Sequence, residues 1–149
     1  MKRVLDSGFD LDDDCSRVDV AAVHDFLSRQ APWALGWPYD DVARLIREAQ
    51  RVVGLYDGVH LIGFSRTVSD GHWLTYLADC YVLPEYRGRG LGFELVRETV
   101  DCGPYKNHGW LLHTADASGL YKKFGFQMRS EYLMERFVAT SEARYRRSE

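Results

Sequence analysis

The sequence predicts a mixed α/β domain built on one β-sheet, and three observations carry that expectation. Two N-terminal segments repeat apolar residues at helical spacing. Three consecutive apolar runs separated by glycine turns follow, and beyond them helical and strand patterns alternate twice.

In chain order, Asp19 to Gln30 sets Val20, Val23, Phe26 and Leu27 three and four residues apart, the stripe of an amphipathic helix, and Ser16 or Asp19 can cap its start. Asp40 to Ala49 repeats the pattern with Val42, Leu45 and Ile46, and Asp40 and Asp41 suit the positive end of a helix dipole. Between them, Trp33, Trp37 and Tyr39 sit beside Pro32 and Pro38, which predicts irregular chain. Arg51 to Tyr56 and Val59 to Ser69 read as strands joined by Asp57-Gly58, a hairpin signal expected to form a type I′ turn. His72 to Leu83 extends this meander beyond a Ser69-Asp70-Gly71 turn. Gly90 to Val100 is helical, with Leu91, Leu95 and Val96 on one face, and Asp101-Cys102-Gly103-Pro104 ends it. Gly109 to Thr114 then reads as a short buried strand, and Asp116 to Phe124 as a helix stopped by Gly125. Glu131 to Val138 reads as a last strand, and the Arg- and Glu-rich stretch 139–149 as a frayed tail.

At 149 residues the chain suits a single domain, 1–149, with its core at about residues 8–138. The net charge of -3 argues against nucleic acid as a partner, because phosphate-backbone binding relies on a basic surface. Cys15, Cys80 and Cys102 are widely spaced and form no CxxC pair, so neither a disulfide framework nor a zinc site is expected. Cys80 reads as a small core residue. Asp25, Asp40 and Asp41 show no metal-ligand spacing, so no metal is expected. No apolar run approaches the ~20 residues of a membrane span, and Met1 to Asp14 shows no apolar leader. The expectation is a reduced, cytoplasmic protein that does not bind a membrane.

The chemistry concentrates in Tyr81-Val82-Leu83-Pro84-Glu85-Tyr86-Arg87-Gly88-Arg89-Gly90-Leu91-Gly92, a strand running through a proline turn into a glycine- and arginine-rich loop and a helix. Glycines let successive N–H groups converge, and the helix N-terminus adds roughly half a positive charge. That is an anion site, and its local charge in a mildly acidic chain favours a small anion over a polyanion. The pattern GxGxxG is absent, which disfavours a dinucleotide-binding turn. A second segment follows about thirty residues on, Leu120-Tyr121-Lys122-Lys123-Phe124-Gly125-Phe126.

The spacing Arg87-x-x-Gly90-x-Gly92 after a strand resembles the pyrophosphate loop of the Gcn5-related N-acetyltransferases, the GNAT superfamily, and the second segment resembles that family's LYxxxGF helix and turn. The element order matches the family from Asp19 to Val138. The resemblance implies one GNAT-type domain with a mostly antiparallel sheet of about six to seven strands flanked by about four helices. It implies acetyl-CoA as acetyl donor, held by the backbone from Gly88 to Gly92, with Leu91 anchoring the helix and Arg87 and Arg89 near phosphate. It also implies that the strand splays beyond a bulge, so that Tyr81 and Val82 offer backbone groups to the pantetheine arm and the thioester carbonyl.

Tyr121 matches the tyrosine that reaches the cofactor sulfur in many members and would protonate the departing thiolate; the other reading is a helix residue with a surface hydroxyl. Where members often carry Glu or His as a base, this chain has Tyr76 and Ala78, so no conventional base is in place. Tyr76 can hold a water in a relay. Asp79 is one residue off that register and reads as a structural hydrogen-bond hub or as a site carboxylate. Trp33, Trp37 and Tyr39 fall where the family forms a wall of the acceptor pocket, or else pack their loop onto the core, and Asp70, His72 and Trp73 lie at a turn near it. His24 and His60 read as surface residues and His113 as structural.

The expected activity is acetyl-CoA-dependent N-acetyl transfer, directly within a ternary complex, to a primary amine of a small molecule. The alternatives are a non-catalytic acetyl-CoA or CoA sensor or interaction module of the same fold, and an unrelated α/β enzyme for another phosphorylated ligand. The final strand and Tyr132 would suit a homodimer.

Overall fold

A computed structural model describes residues 1–136. Six strands form one sheet in the order β1-β2-β3-β4-β5-β6. They are β1 (Lys2–Val4), β2 (Asp10–Asp12), β3 (Arg51–Asp57), β4 (His60–Ser69), β5 (Leu74–Val82) and β6 (Gly109–Leu111). The first five pair antiparallel and β6 runs parallel to β5. The helices are α1 (Val20–Gln30), α2 (Tyr39–Glu48), α3 (Leu91–Val100) and α4 (Ser118–Lys122). Asp19 caps α1 by accepting from the Ala22 N–H at 3.1 Å.

Strand alternation sorts the core onto two faces. Val52 and Tyr56 of β3 and Leu61 and Phe64 of β4 pack against Val23, Phe26 and Leu27 of α1 and Val42 and Ile46 of α2. Val53 and Leu55 of β3 and Ile62 of β4 face Leu91 and Leu95 of α3, while Leu77 meets Val96, Val100 and Tyr121. The sheet is thus covered by α1 and α2 on one side and by α3 and α4 on the other.

The N-terminal hairpin β1–β2 is not expected from the sequence, which shows no long apolar run from Met1 to Asp14. Its charges are neutralised within the fold. Arg17 pairs with Asp10 and Asp12, and Arg3 bonds Glu98 at 2.8 Å and Glu94 at 2.9 Å. Arg51, buried at the start of β3, bonds Glu98 and Asp13 and donates to the carbonyls of Glu98 and Thr99 near the C-terminal end of α3.

Other expectations shift in detail. The β3–β4 hairpin turns at Gly58-Val59, since Asp57 pairs with His60, and only Gly58 has positive φ (59°). That is the pattern of a type II′ turn, not I′. The strand from Gly109 stops at Leu111, and the helix from Asp116 shrinks to α4. Of the strand expected over Glu131 to Val138, Ser130–Tyr132 is a 3-10 turn and residues 133–136 are irregular, with Leu133 and Met134 exposed. Val138 and the expected tail lie outside the described residues.

Candidate active site

Two features of β5 shape the site. The first is where its neighbour ends. β6 pairs with β5 only from Leu74 to Tyr76, so beyond Tyr76 the outer edge of β5 has no strand beside it among the described residues. The expected splay lay beyond the bulge, whereas pairing with β6 already ends ahead of it, where β6 itself stops at Leu111.

The second is a bulge. Phe64 pairs with Tyr81 and Arg66 with Ala78, leaving one extra residue on β5, and Asp79 there takes φ 51°, the only positive φ among the described non-glycine residues. The bulge reverses the alternation. Leu77 faces α3 and α4, yet Cys80 and Val82, three and five residues on, face that same side, while Tyr81 turns to α1 and stacks on Phe26 at 3.8 Å. Asp79 joins Tyr81 on the α1 side. Its carboxylate accepts from Trp33 Nε1 at 3.0 Å and from Arg66 Nε at 2.7 Å. It is 7% exposed and both oxygens are engaged, the arrangement of a structural hub.

After β5 the chain turns at Pro84–Tyr86 and enters the glycine loop. Gly88 and Gly90 have φ of 76° and 74°, and a Cβ built on either meets nothing within 4 Å. The glycines therefore serve backbone conformation, and they leave open space in front of the loop. Gly90 is the N-cap of α3, so the helix begins at Leu91, not at Gly90 as expected. The first bond of the helix runs from the Glu94 N–H to the Gly90 carbonyl, which leaves the N–H groups of Leu91, Gly92 and Phe93 pointing out of the helix end. Leu91 is buried against Leu55 and Val82 and fixes that end in space.

Arg87 donates through Nε to the Val82 carbonyl at 2.9 Å, and Arg89 donates to the Glu85 carbonyl at 3.3 Å and lies over the Tyr86 ring. Both arginines brace the loop. The Tyr81 and Val82 side chains belong to the core, so only their backbone faces the gap.

Tyr121 sits on α4, buried in the cluster that also holds Cys80 and not at the surface. Burial first and the neighbouring Cys80 second push the phenol far above its ordinary range. Burial likewise pushes the Cys80 thiol up to about 11, opposed by Tyr121.

The aromatic segment after α1 is a run of turns closed by backbone bonds within it and tied to the rest of the fold by the Gly36 N–H to the Ser28 carbonyl at 2.9 Å, Trp33 to Asp79, and His24 Nε2 to the Trp37 carbonyl at 3.0 Å. His24 is thus half-buried and structural, not a surface residue. Trp33 and Trp37 are half-buried against the α1–α2 core, and Tyr39 is exposed. Asp70 accepts from the N–H groups of His72, Trp73 and Leu74, which hold its carboxylate down to about 2 and shape the entry to β5. His60 is exposed at the hairpin.

Tyr76 and His113, expected as separate residues, come together. The Tyr76 hydroxyl bonds His113 Nδ1, and His113 Nε2 bonds Glu135, a residue that sequence reasoning missed. No cluster of three or more metal-ligating side chains exists among the described residues, nor any helix long and apolar enough to cross a membrane.

The profile described as Acetyltransferase (GNAT) domain matches residues 48–128, just over half of the chain. The chain belongs to the GNAT acetyltransferase family. A GNAT-family protein of known structure from Xanthomonas campestris pv. campestris is 32% identical, with 89% of this chain and 94% of that one aligned at a TM-score of 0.79. A predicted acetyltransferase from Clostridium acetobutylicum, solved with acetyl-CoA, shares the GNAT fold at 17% identity, 91% and 96% coverage and a TM-score of 0.64. AAC(6')-Iy, solved with the bisubstrate analogue CoA-S-monomethyl-acetylneamine, shares it at 15% identity, 88% and 99% coverage and a TM-score of 0.60. No curated protein matches the sequence. The family match spans β3 to α4 and so includes both the glycine loop and Tyr121.

Proposed function

We propose that this GNAT protein is an acetyl-CoA-dependent N-acetyltransferase that moves the acetyl group directly onto a primary amine of a small molecule, within a ternary complex. The observation that carries the reading is a strand, β5, that has no β6 partner beyond Tyr76 and leads through the Pro84–Tyr86 turn into a loop whose open N–H groups end at the N-terminus of α3. A pyrophosphate suits those donors and the helix dipole without any side chain. The open space at Gly88 and Gly90 suits its close approach, and the edge of β5 that no strand covers among the described residues suits the amides of a pantetheine arm. When bound, acetyl-CoA supplies the activated acetyl group, and the rest is the work of this chain's residues.

Tyr121 is the group for the leaving sulfur. Its raised pKa keeps the hydroxyl protonated, and it sits beside a sulfur atom, that of Cys80. In this reading it donates to the cofactor sulfur as charge develops there. Direct transfer is supported by the state of Cys80, the thiol of β5. Cys80 is held neutral by burial, a poor state for an acyl-accepting nucleophile. Trp33 and Trp37 form the wall on the acceptor side, with Asp79 holding Trp33 in place. A small-molecule acceptor is supported by the acetylneamine portion of the analogue bound to AAC(6')-Iy.

Isothermal titration with acetyl-CoA, with NADH as control, is the first test. Micromolar binding of acetyl-CoA alone, followed by thiol release with a panel of primary amines, is the expected outcome. Absence of binding would overturn the reading.

A further inference from the structure

We infer that Tyr76, His113 and Glu135 form the proton-accepting arm of the acyl-transfer site, with Tyr76 receiving the proton of the acceptor amine; the inference rests on the acetyltransferase reading above. A primary amine is mostly protonated at neutral pH and must lose a proton before or as it attacks a thioester. A phenol alone, titrating near pH 10, does not take that proton. A phenol whose own proton can pass to an imidazole does, because imidazole is the side chain suited to exchanging protons near neutrality.

The geometry supplies each link. Tyr76 is the last residue of β5 paired with β6, so it stands where the pairing ends. It alternates with Leu77, which packs toward α4 and Tyr121, so Tyr76 lies on the opposite face of the sheet from Tyr121. The gap beside β5 is therefore flanked by a hydroxyl on each side. His113 lies two residues past the end of β6, the spacing that returns a side chain to the same side as Leu111, the partner of Tyr76. Its Nδ1 meets the Tyr76 hydroxyl and its ring lies 5.6 Å from the phenol ring. Glu135, from the irregular segment after the 3-10 turn, closes on Nε2.

The carboxylate sets the direction of the chain. A carboxylate can only accept, so Nε2 carries the hydrogen and Nδ1 is left to accept from the phenol. As the amine gives its proton to the Tyr76 oxygen, the phenol proton passes to Nδ1, and the resulting imidazolium stays paired with Glu135 while the amine lone pair attacks the thioester carbon. Attack leaves a second excess proton on the nitrogen, and it passes to solvent as the C–S bond breaks. Tyr121 protonates the departing sulfur and is itself reprotonated from solvent, and His113 returns its proton to solvent through Tyr76. Asp79, the one acidic residue of β5, is occupied by Trp33 and Arg66.

The test uses Tyr76→Phe, His113→Asn and Glu135→Gln in the full chain, assayed by thiol release with ethanolamine, phenethylamine, spermidine and kanamycin, alongside acetyl-CoA titration. Loss of kcat/KM by about 100-fold or more in the first two variants and by about tenfold in the third is expected. Acetyl-CoA affinity should stay within twofold of wild type, and the acidic limb of the pH profile of kcat/KM should be lost in His113→Asn. Wild-type rates in Tyr76→Phe, in a protein that binds acetyl-CoA and turns over an amine, would overturn the relay alone. A wild-type protein that neither binds acetyl-CoA nor releases thiol would instead overturn the acetyltransferase reading. An independent measurement needs no acceptor: 15N spectra of the neutral His113 ring should show the Nε2–H tautomer. The Nδ1–H tautomer would also overturn the relay, since that nitrogen could not accept from the phenol.

Discussion

The glycine-loop side and the Trp33–Tyr76 side of this molecule, the donor and acceptor sides of the proposed reaction, are built in opposite ways. The donor side is local: a strand end, a turn, two positive-φ glycines and a helix start follow one another within a dozen residues. Its working groups are backbone N–H, which any chain has once the loop is bent correctly. The acceptor side is assembled from afar. Trp33 reaches Asp79 across 46 residues, and His113 reaches Tyr76 across 37. A site made of backbone tolerates change in side chains but not in conformation; a site made of distant side chains depends on each partner.

That contrast can be broken or sharpened by mutation. The largest effect is expected at Asp79→Ala, which strands Arg66 in the interior without its partner and leaves Ala at a positive φ. A loss of about 3–5 kcal/mol in thermal or denaturant unfolding follows, against about 1–3 kcal/mol for Asp79→Asn, which keeps Trp33 bonded and tolerates the backbone. Below its melting range the Ala variant should still bind acetyl-CoA near wild-type affinity. Equal loss of cofactor affinity and amine turnover would show that the two sides are not separate.

Tyr121→Phe should lower kcat about 10- to 100-fold, roughly 1.4–2.7 kcal/mol of transition-state stabilisation, with KM for acetyl-CoA unchanged and stability lowered by less than about 1 kcal/mol. An unchanged kcat would remove Tyr121 from the chemistry. Next comes the glycine pair. Gly90→Ala forces a side chain into a left-handed conformation at a cost of about 1–2 kcal/mol. Gly92→Ala has room, its Cβ lying 3.8 Å from Leu120 Cδ2, and gains helix propensity of up to about 1 kcal/mol. Both should weaken acetyl-CoA binding several-fold in titration. If Gly92→Ala stabilises the fold without touching affinity, the ligand does not approach the start of α3.

The smallest effect is at Asp70. Its carboxylate is held at about 2, below the ordinary value near 4, so its contribution is complete above pH 4 and fades as pH falls from 4 toward 2. Asp70→Asn should flatten the fall in melting temperature across that window and change little at pH 7.

The same division decides what could be read before folding. The glycine loop, both N-terminal helices and the β3–β5 meander are written in local spacing and turn chemistry, and they emerge where expected. The hairpin β1–β2 escaped because its strands are only three residues long and carry charge at Asp10 and Asp12, which only the fold brings to Arg17. The alternation Asp10-Leu11-Asp12, with Leu11 fully buried, was the faint available signal. Glu135 escaped because it lay inside a stretch whose apolar pattern mimics a strand. The orientation of Asp79 escaped because a bulge depends on register against β4, which a single strand does not encode.

The extra residue at that bulge acts as a phase break. Upstream of it, Tyr76 and Ala78 follow one alternation; downstream, Cys80 and Val82 follow the opposite one. Each half of the strand can then drift in evolution without dragging the other with it. New acceptors can be explored at Tyr76 while the grip on the donor stays intact, and a one-residue deletion at Asp79 would swap the two surfaces at a stroke.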